Sequence, residues 1–225
     1  MAYTYLPTNN KNPRGNHKIE RLTVHCVVGR ASAEQIANLR KFHDGKSASV
    51  NYIVGKNGEV VMQVPEDYRA WTSGSRDNDY RAITIEVSSD NFHPYAFNDA
   101  EYKGLVELTV DIMKRNKKTK LVFIADKTTA LNYQVKDNEM LITFHRWFQA
   151  TACPGDWFIS KCPEFVKTVN DRLGNEQSQP EPQPEPVNNT WYKVQVGAFR
   201  KKENAENLLK QLKDKGFTGF IVEYN

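Results

Sequence analysis

Apolar and polar residues along this chain change period several times, and each change marks an element. Glu20 to Val28 alternates and then runs apolar, as a strand entering a core does. Ser32 with Gln35 three residues later has the form of a capping box and opens a helix through about Phe42. The stretch NYIVGKNGEVVMQV is two β-type runs around Lys56-Asn57-Gly58, a hairpin signal. AITIEV, Ala82 to Val87, reads as a further buried strand. From Asp99 to Arg115 the positions Leu105, Leu108, Val110 and Ile112 predict an amphipathic helix, with Lys114 and Arg115 at its negative end. LVFIA is another strand, an irregular stretch follows, and Asp156 to Leu173 closes the region as a helix. Strands and helices interleave, which predicts an α/β fold with a mixed central β-sheet flanked by helices.

The pattern breaks at NEQSQPEPQPEPVNN, Asn175 to Asn189, where proline alternates with glutamate and glutamine. Such a segment buries no apolar surface and favours an extended spacer. It divides the 225 residues into a domain over 1–174, a linker over 175–189 and a small module over 190–225. In the module, WYKVQVGAFRKKENAENLLKQLKDKGFTGFIVEYN reads as strand, helix, strand. Ala205, Leu208, Leu209 and Leu212 form its helical stripe, and Gly216 sits where a helix stop belongs.

Composition narrows the classes. With 39% hydrophobic and 26% charged residues the chain is ordinary for a globular protein, and no apolar run reaches the roughly 20 residues of a membrane span. Membrane insertion is not expected. The N-terminus lacks the basic start, apolar middle and small-residue cleavage site of a secretory signal, so synthesis in the cytoplasm and exit by another route are expected. A net charge of +4 gives mild attraction to polyanions, but the lysines are scattered and no base-reading motif is present, so nucleic acid is not the expected partner. Cys26, Cys153 and Cys162 are too few and too oddly spaced for a disulfide framework, which leaves free thiols or metal ligation.

The stretch TFHRWFQATACPGDW places Cys153 eight residues after His145. A catalytic zinc site takes imidazole and thiolate ligands and keeps one position open. His145 and Cys153 supply two, provided RWFQATA folds back, and His25 at the end of LTVHC is the best third. His17, His43 and His93 are weaker, lying in a polar arm, at a helix end and before a proline. Spacing alone gives equal standing to a core histidine beside an inert cysteine.

Over residues 19 to about 160 the chain resembles the zinc-dependent N-acetylmuramoyl-L-alanine amidases of the type-2 amidase and peptidoglycan-recognition superfamily, which includes phage endolysins. The resemblance is carried by LTVHCV, SVNYIVGKNGEVVMQVPEDYRAW, AITIEV and FHRWFQATACPGDW, in matching order and spacing. It implies zinc held by His25, His145 and Cys153 at the floor of a groove, and hydrolysis of the amide between N-acetylmuramic acid and L-alanine of the stem peptide. It gives Glu86 the acid/base role, fitting a carboxylate on an otherwise apolar strand, against the alternative of a carboxylate that faces solvent or bonds a ligand's neighbour. It matches Tyr52 to a tyrosine that supports the oxyanion in some members, against the alternative of a core tyrosine with a satisfied hydroxyl, and Thr151 is the expected helper beside it. Cys26, on the opposite strand face from His25, falls to the core and Cys162 to helix packing. Two positions depart from the family pattern: Thr151 stands where many members have lysine, and Ala70-Trp71-Thr72-Ser73-Gly74 where many read AWHAG.

The module resembles about half of a sporulation-related (SPOR) repeat, which binds glycan strands, through YKVQVGAF, the helix and the GF…IV run. Units this short rarely fold unaided. A βαβ module completed by pairing two copies, and so a homodimer, is expected. The implied partner is peptidoglycan of a Gram-positive wall, reached through a holin pore or after mother-cell lysis. A lytic phage enzyme, a sporulation or growth autolysin, and a non-enzymatic recognition protein are the alternatives. Recognition proteins typically lose the cysteine ligand, which this chain keeps.

Overall fold

A computed structural model describes residues 3–41, 48–177 and 195–223. Two compact units, Met1–Pro180 and Glu181–Asn225, divide the chain. In the first, the elements run β1 (Thr4–Tyr5), β2 (Lys11–Pro13), β3 (Arg21–Val28), α1 (Ala33–Lys41), β4 (Tyr52–Val54), β5 (Val60–Met62), β6 (Tyr68–Ala70), α2 (Arg76–Arg81), β7 (Ala82–Ser89), α3 (Asp99–Arg115), β8 (Lys120–Val122), α4 (Lys127–Asn132), β9 (Glu139–Phe144), a 3-10 turn over His145–Trp147, and α5 (Asp156–Gln177).

Seven strands form one sheet in the order β1-β5-β4-β7-β3-β9-β8. The pairs from β4 through β8 are parallel, and β5 runs antiparallel to β4, so the sheet is mixed as expected. A small antiparallel pair, β2 with β6, stands apart.

Local signals explain the ends of the elements. Ser32 and Gln35 exchange hydrogen bonds, the Ser32 N–H to Gln35 Oε1 at 2.9 Å and the Gln35 N–H to Ser32 Oγ at 3.2 Å, so the capping box opens α1. Phe42 lies outside the described residues. Asn98 and Glu101 make the same reciprocal cap on α3. The hairpin forms between β4 and β5, turning at Gly58 with φ +80.

Several expectations need correction. LVFIA holds a strand only over its first two residues, and β9 and α4 lie in the stretch read as irregular. β9 was missed because EMLITF is short and buried throughout, so it has no alternation to show. β3 continues three residues past His25, which therefore sits within the strand and not at its end. α5 continues beyond Leu173, where its apolar pattern stops.

Partners in a parallel ladder share a face, and alternate residues take opposite faces. On one face Leu22, Val24, Ile83, Ile85, Ile142 and Phe144 meet Leu105, Leu108 and Ile112 of α3 and Phe158, Cys162, Phe165 and Val169 of α5 in the main core. On the other face α1 packs Ile36 and Ala37 against Ile53 and Val61, and the central strands beside it carry polar residues.

In the second unit the helix is present as α6 (Lys202–Asp214). It ends as expected: the Gly216 N–H donates to the Lys213 carbonyl at 2.9 Å and the Phe217 N–H to the Leu212 carbonyl at 3.0 Å, with Gly216 at φ +85. Neither 195–200 nor 217–223 forms a strand, so the strand-helix-strand reading is corrected there; residues 191–194 lie outside the described residues. A strand needs a neighbour for its N–H and carbonyl groups, and among the described residues these segments have none. No helix among the described residues is long and apolar enough to cross a membrane.

Candidate metal centre

Three adjacent parallel strands bring the site together. His25 of β3 lies opposite Glu86 of β7, so both side chains take the polar face. β9 runs parallel on the other side of β3, with Thr23 opposite Thr143, and His145 follows two residues later. The His25 and His145 ring centroids are 4.7 Å apart.

Cys153 returns to this pair through a turn that the sequence reading required. After His145 the chain tightens, with the Phe148 and Gln149 N–H groups both donating to the His145 carbonyl at 2.9 and 3.1 Å. The Arg146 N–H donates to the Cys153 carbonyl at 3.1 Å, joining the two ends of the excursion. The Arg146 side chain holds it from outside, bonding the Ala152 carbonyl and Asp156 Oδ1, the latter at 2.7 Å. Gly155 is needed just beyond: it has φ +91, and a Cβ there would stand 2.6 Å from the Pro94 carbonyl oxygen.

The result is that donor atoms of His25, His145 and Cys153 lie within 4.8 Å of one another, the one such group among the described residues. His25 is buried, and the other two are half-buried. The Cys26 N–H donates to Cys153 Sγ at 3.3 Å, a bond that favours the thiolate. Hydrogen bonding with the Cys26 side chain, burial and the negative charge of Glu86 together hold the Cys153 thiol well above its ordinary value. A cation at the centre reverses that balance, since a coordinating thiol gives up its proton. Two imidazoles and a thiol are the donor set of a catalytic zinc site, so the residues fit the metal.

A family model described as N-acetylmuramoyl-L-alanine amidase matches residues 15–156. The chain belongs to this amidase family. A SPOR domain model matches residues 172–223. The chain is similar to the 1,6-anhydro-N-acetylmuramyl-L-alanine amidase AmpD of Enterobacter cloacae, 36% identical over 74 residues; the match spans 30% of this chain and 38% of that relative's length. In fold it is similar to an N-acetylmuramoyl-L-alanine amidase, LysC, from Clostridium intestinale, with a TM-score of 0.51 at 18% identity, over 75% of this chain and 99% of that one. It is also similar to a mutant endolysin from Bacillus subtilis, with a TM-score of 0.52 at 16% identity over the same shares. At these identities the likeness is one of fold.

Within the amidase domain, the structure separates the expected site residues. Glu86 is 2% exposed and lies near enough for its charge to act on Cys153. Thr151 is exposed in the ligand turn, and its hydroxyl accepts the Cys153 N–H at 3.2 Å. Tyr52 is not brought to the centre, which corrects its expected role. It pairs with Ile85, and Ile53 pairs with Glu86, so strand alternation sends Tyr52 to the α3 face. There its hydroxyl donates to Glu66 Oε1 at 2.8 Å under the Arg115 guanidinium, and burial with the Glu66 charge pushes its pKa up.

Among the remaining cysteines and histidines, Cys26 is only partly buried against the main core and its side chain hydrogen-bonds Cys153, so it belongs to the surroundings of the centre and not, as expected, to the core alone. Burial pushes the thiol of Cys162, on α5, up. His17 stacks on Tyr80 with ring centroids 4.5 Å apart, and His43 lies outside the described residues. His93 bonds Asp156 Oδ2 at 2.6 Å, so it joins Arg146 in bracing the ligand turn; this role had no sequence signal beyond the residues themselves.

Proposed function

We propose that this chain hydrolyses the amide between the lactyl group of N-acetylmuramic acid and L-alanine of the stem peptide, with zinc held by His25, His145 and Cys153. The observation that carries the reading is the convergence of those three donors within 4.8 Å beside Glu86, which pairs with His25 across the sheet. Zinc bound there supplies a Lewis acid that polarises the scissile carbonyl. Glu86 takes a proton from the attacking water and returns it to the leaving amine. Cys26 steadies the Cys153 sulfur through its N–H. The Thr151 hydroxyl accepts the Cys153 N–H and keeps its own proton to donate to the developing oxyanion. The Thr72 hydroxyl is fixed by the Ser49 carbonyl at 2.6 Å and Thr84 Oγ1 at 2.9 Å.

In this reading the first unit, closed by α5, is the catalytic domain, and the second unit holds the enzyme to glycan strands of a Gram-positive wall during lysis. Val196, Phe199, Phe217 and Phe220 are exposed around α6, and two copies of the unit pair through them. Sedimentation of the full chain as a monomer with α6 formed would exclude that pairing.

The deciding experiment measures metal content and release of free L-alanine amino groups from purified Gram-positive walls on one preparation. About one zinc per chain is expected, with chelation abolishing release. Cys153→Ser is expected to lose both metal and activity. Walls bound without cleavage by metal-free protein would make the chain a recognition protein instead.

A further inference from the structure

The floor beneath the metal centre is a layer of threonines that the sequence announces three times. LTVHC, ITIEV and ITFHR each place a threonine two residues before His25, Glu86 and His145. Two residues along a strand is one step on the same face, so Thr23, Thr84 and Thr143 share the face of the site one step below it. The ladder puts Thr23 opposite both Thr84 and Thr143. All three are fully buried.

Two of them close a ring with a residue from outside the sheet. Asn78, in the first turn of α2, donates from Nδ2 to Thr23 Oγ1 at 2.9 Å. Thr143 Oγ1 donates to Asn78 Oδ1 at 3.2 Å. The 2.8 Å contact between the two hydroxyls must then run from Thr23 to Thr143, because the Thr143 proton is already committed. Each hydroxyl donates once and accepts once, so the directions in the ring are fixed. Thr84 extends the layer by bonding Thr72 Oγ1 at 2.9 Å and Asn51 Oδ1 at 3.2 Å.

The ring ties the segment from Thr72 to Asn78 onto the floor, and that segment touches the ligand turn from the other side. Gly74 has φ +71, and a Cβ there would lie 2.5 Å from Gln149 Nε2, inside the loop between His145 and Cys153. We propose that Thr23, Thr143 and Asn78 are positioning residues: their ring sets His145 against His25 and, through the 72–78 segment, seats the loop that carries Cys153. The inference rests on the proposed zinc site, but concerns residues that touch neither metal nor substrate.

Chelator-competition titration of zinc into the full chain tests it, alongside urea unfolding. Wild-type protein that binds no zinc would defeat the proposed function and leave this inference without a subject. Given wild-type binding, Thr143→Val is expected to weaken zinc affinity about 10-fold or more, the scale at which groups behind metal ligands act. Thr143→Ser keeps the hydroxyl and is expected to restore near wild-type affinity. Thr109→Val removes a fully buried hydroxyl on α3 and is expected to leave zinc affinity unchanged. If Thr143→Val is less stable yet binds zinc like wild type, the ring is a packing feature and the inference is overturned. Should that variant fail to fold, Gly74→Ala decides from the surface: weakened zinc binding supports the seat at Gln149, and unchanged binding overturns it.

Discussion

The two faces of the central sheet are chemically opposite. Leu22, Val24, Ile83, Ile85, Ile142 and Phe144 point to α3 and α5, while the residues between and after them, Thr23, His25, Thr84, Glu86, Thr143 and His145, point the other way. Apolar contact suffices on the first face. On the second every polar group needs a partner, because an unpaired buried donor or acceptor costs about 1–3 kcal/mol. The hydroxyl layer and Asn78 supply those partners in the lower row, and the donor cluster occupies the row above. Strand alternation thus keeps stability and chemistry on separate faces of the same strands, and each face can be altered with little effect on the other.

The largest expected effect falls on the polar face. Glu86→Gln keeps the shape of the side chain and removes its proton-transfer ability, so kcat is expected to fall about 100-fold to 10,000-fold. Zinc content and urea midpoint should stay at wild-type values. A Glu86→Gln enzyme with full turnover would remove the carboxylate from the reaction and leave it a neighbour of Cys153 only.

Ile85→Ala, one residue away, makes the opposite test. Ile85 is fully buried in the main core, and its truncation is expected to cost about 2–5 kcal/mol of stability. Activity per folded molecule should be unchanged, since the backbone that presents Glu86 stays hydrogen-bonded to β3 and β4. Loss of zinc affinity in the folded fraction of Ile85→Ala would show that the faces are mechanically coupled.

How much of this was legible in the sequence follows from the same alternation. β3 and β7 could be read because long apolar strands stand out, and His25, His145 and Cys153 were selected by ligand chemistry, spacing and resemblance. β9 was missed because a short strand buried on both faces has no period, although it delivers His145. The assignment of Tyr52 failed for a different reason: resemblance supplied a residue, whereas register decides a face. Ile53 opposite Glu86 places Tyr52 on the wrong side, and no composition rule reports register. The threonine layer was present as three repeats of one small pattern, but it acquires meaning only when the three strands are known to be neighbours. In the second unit the helix and its glycine stop depended on local spacing and were read correctly. Its strands depended on pairing partners, and among the described residues they have none.

The smallest expected effect sharpens the comparison most. Tyr52→Phe removes one hydrogen bond, to a Glu66 that keeps Arg115 and Asn116, the latter donating to Oε2 at 2.7 Å. The stability cost should be about 1.5 kcal/mol, the low end for a bond to a charged acceptor, because Glu66 keeps its other partners. Turnover and zinc affinity should not move, because the hydroxyl lies across the sheet from Glu86 and the metal ligands. If steady-state kinetics instead showed kcat reduced tenfold at unchanged stability, Tyr52 would have to reach the reaction from the far face. The strand would then rearrange when substrate binds, and the separation of the two faces would hold only for the free protein.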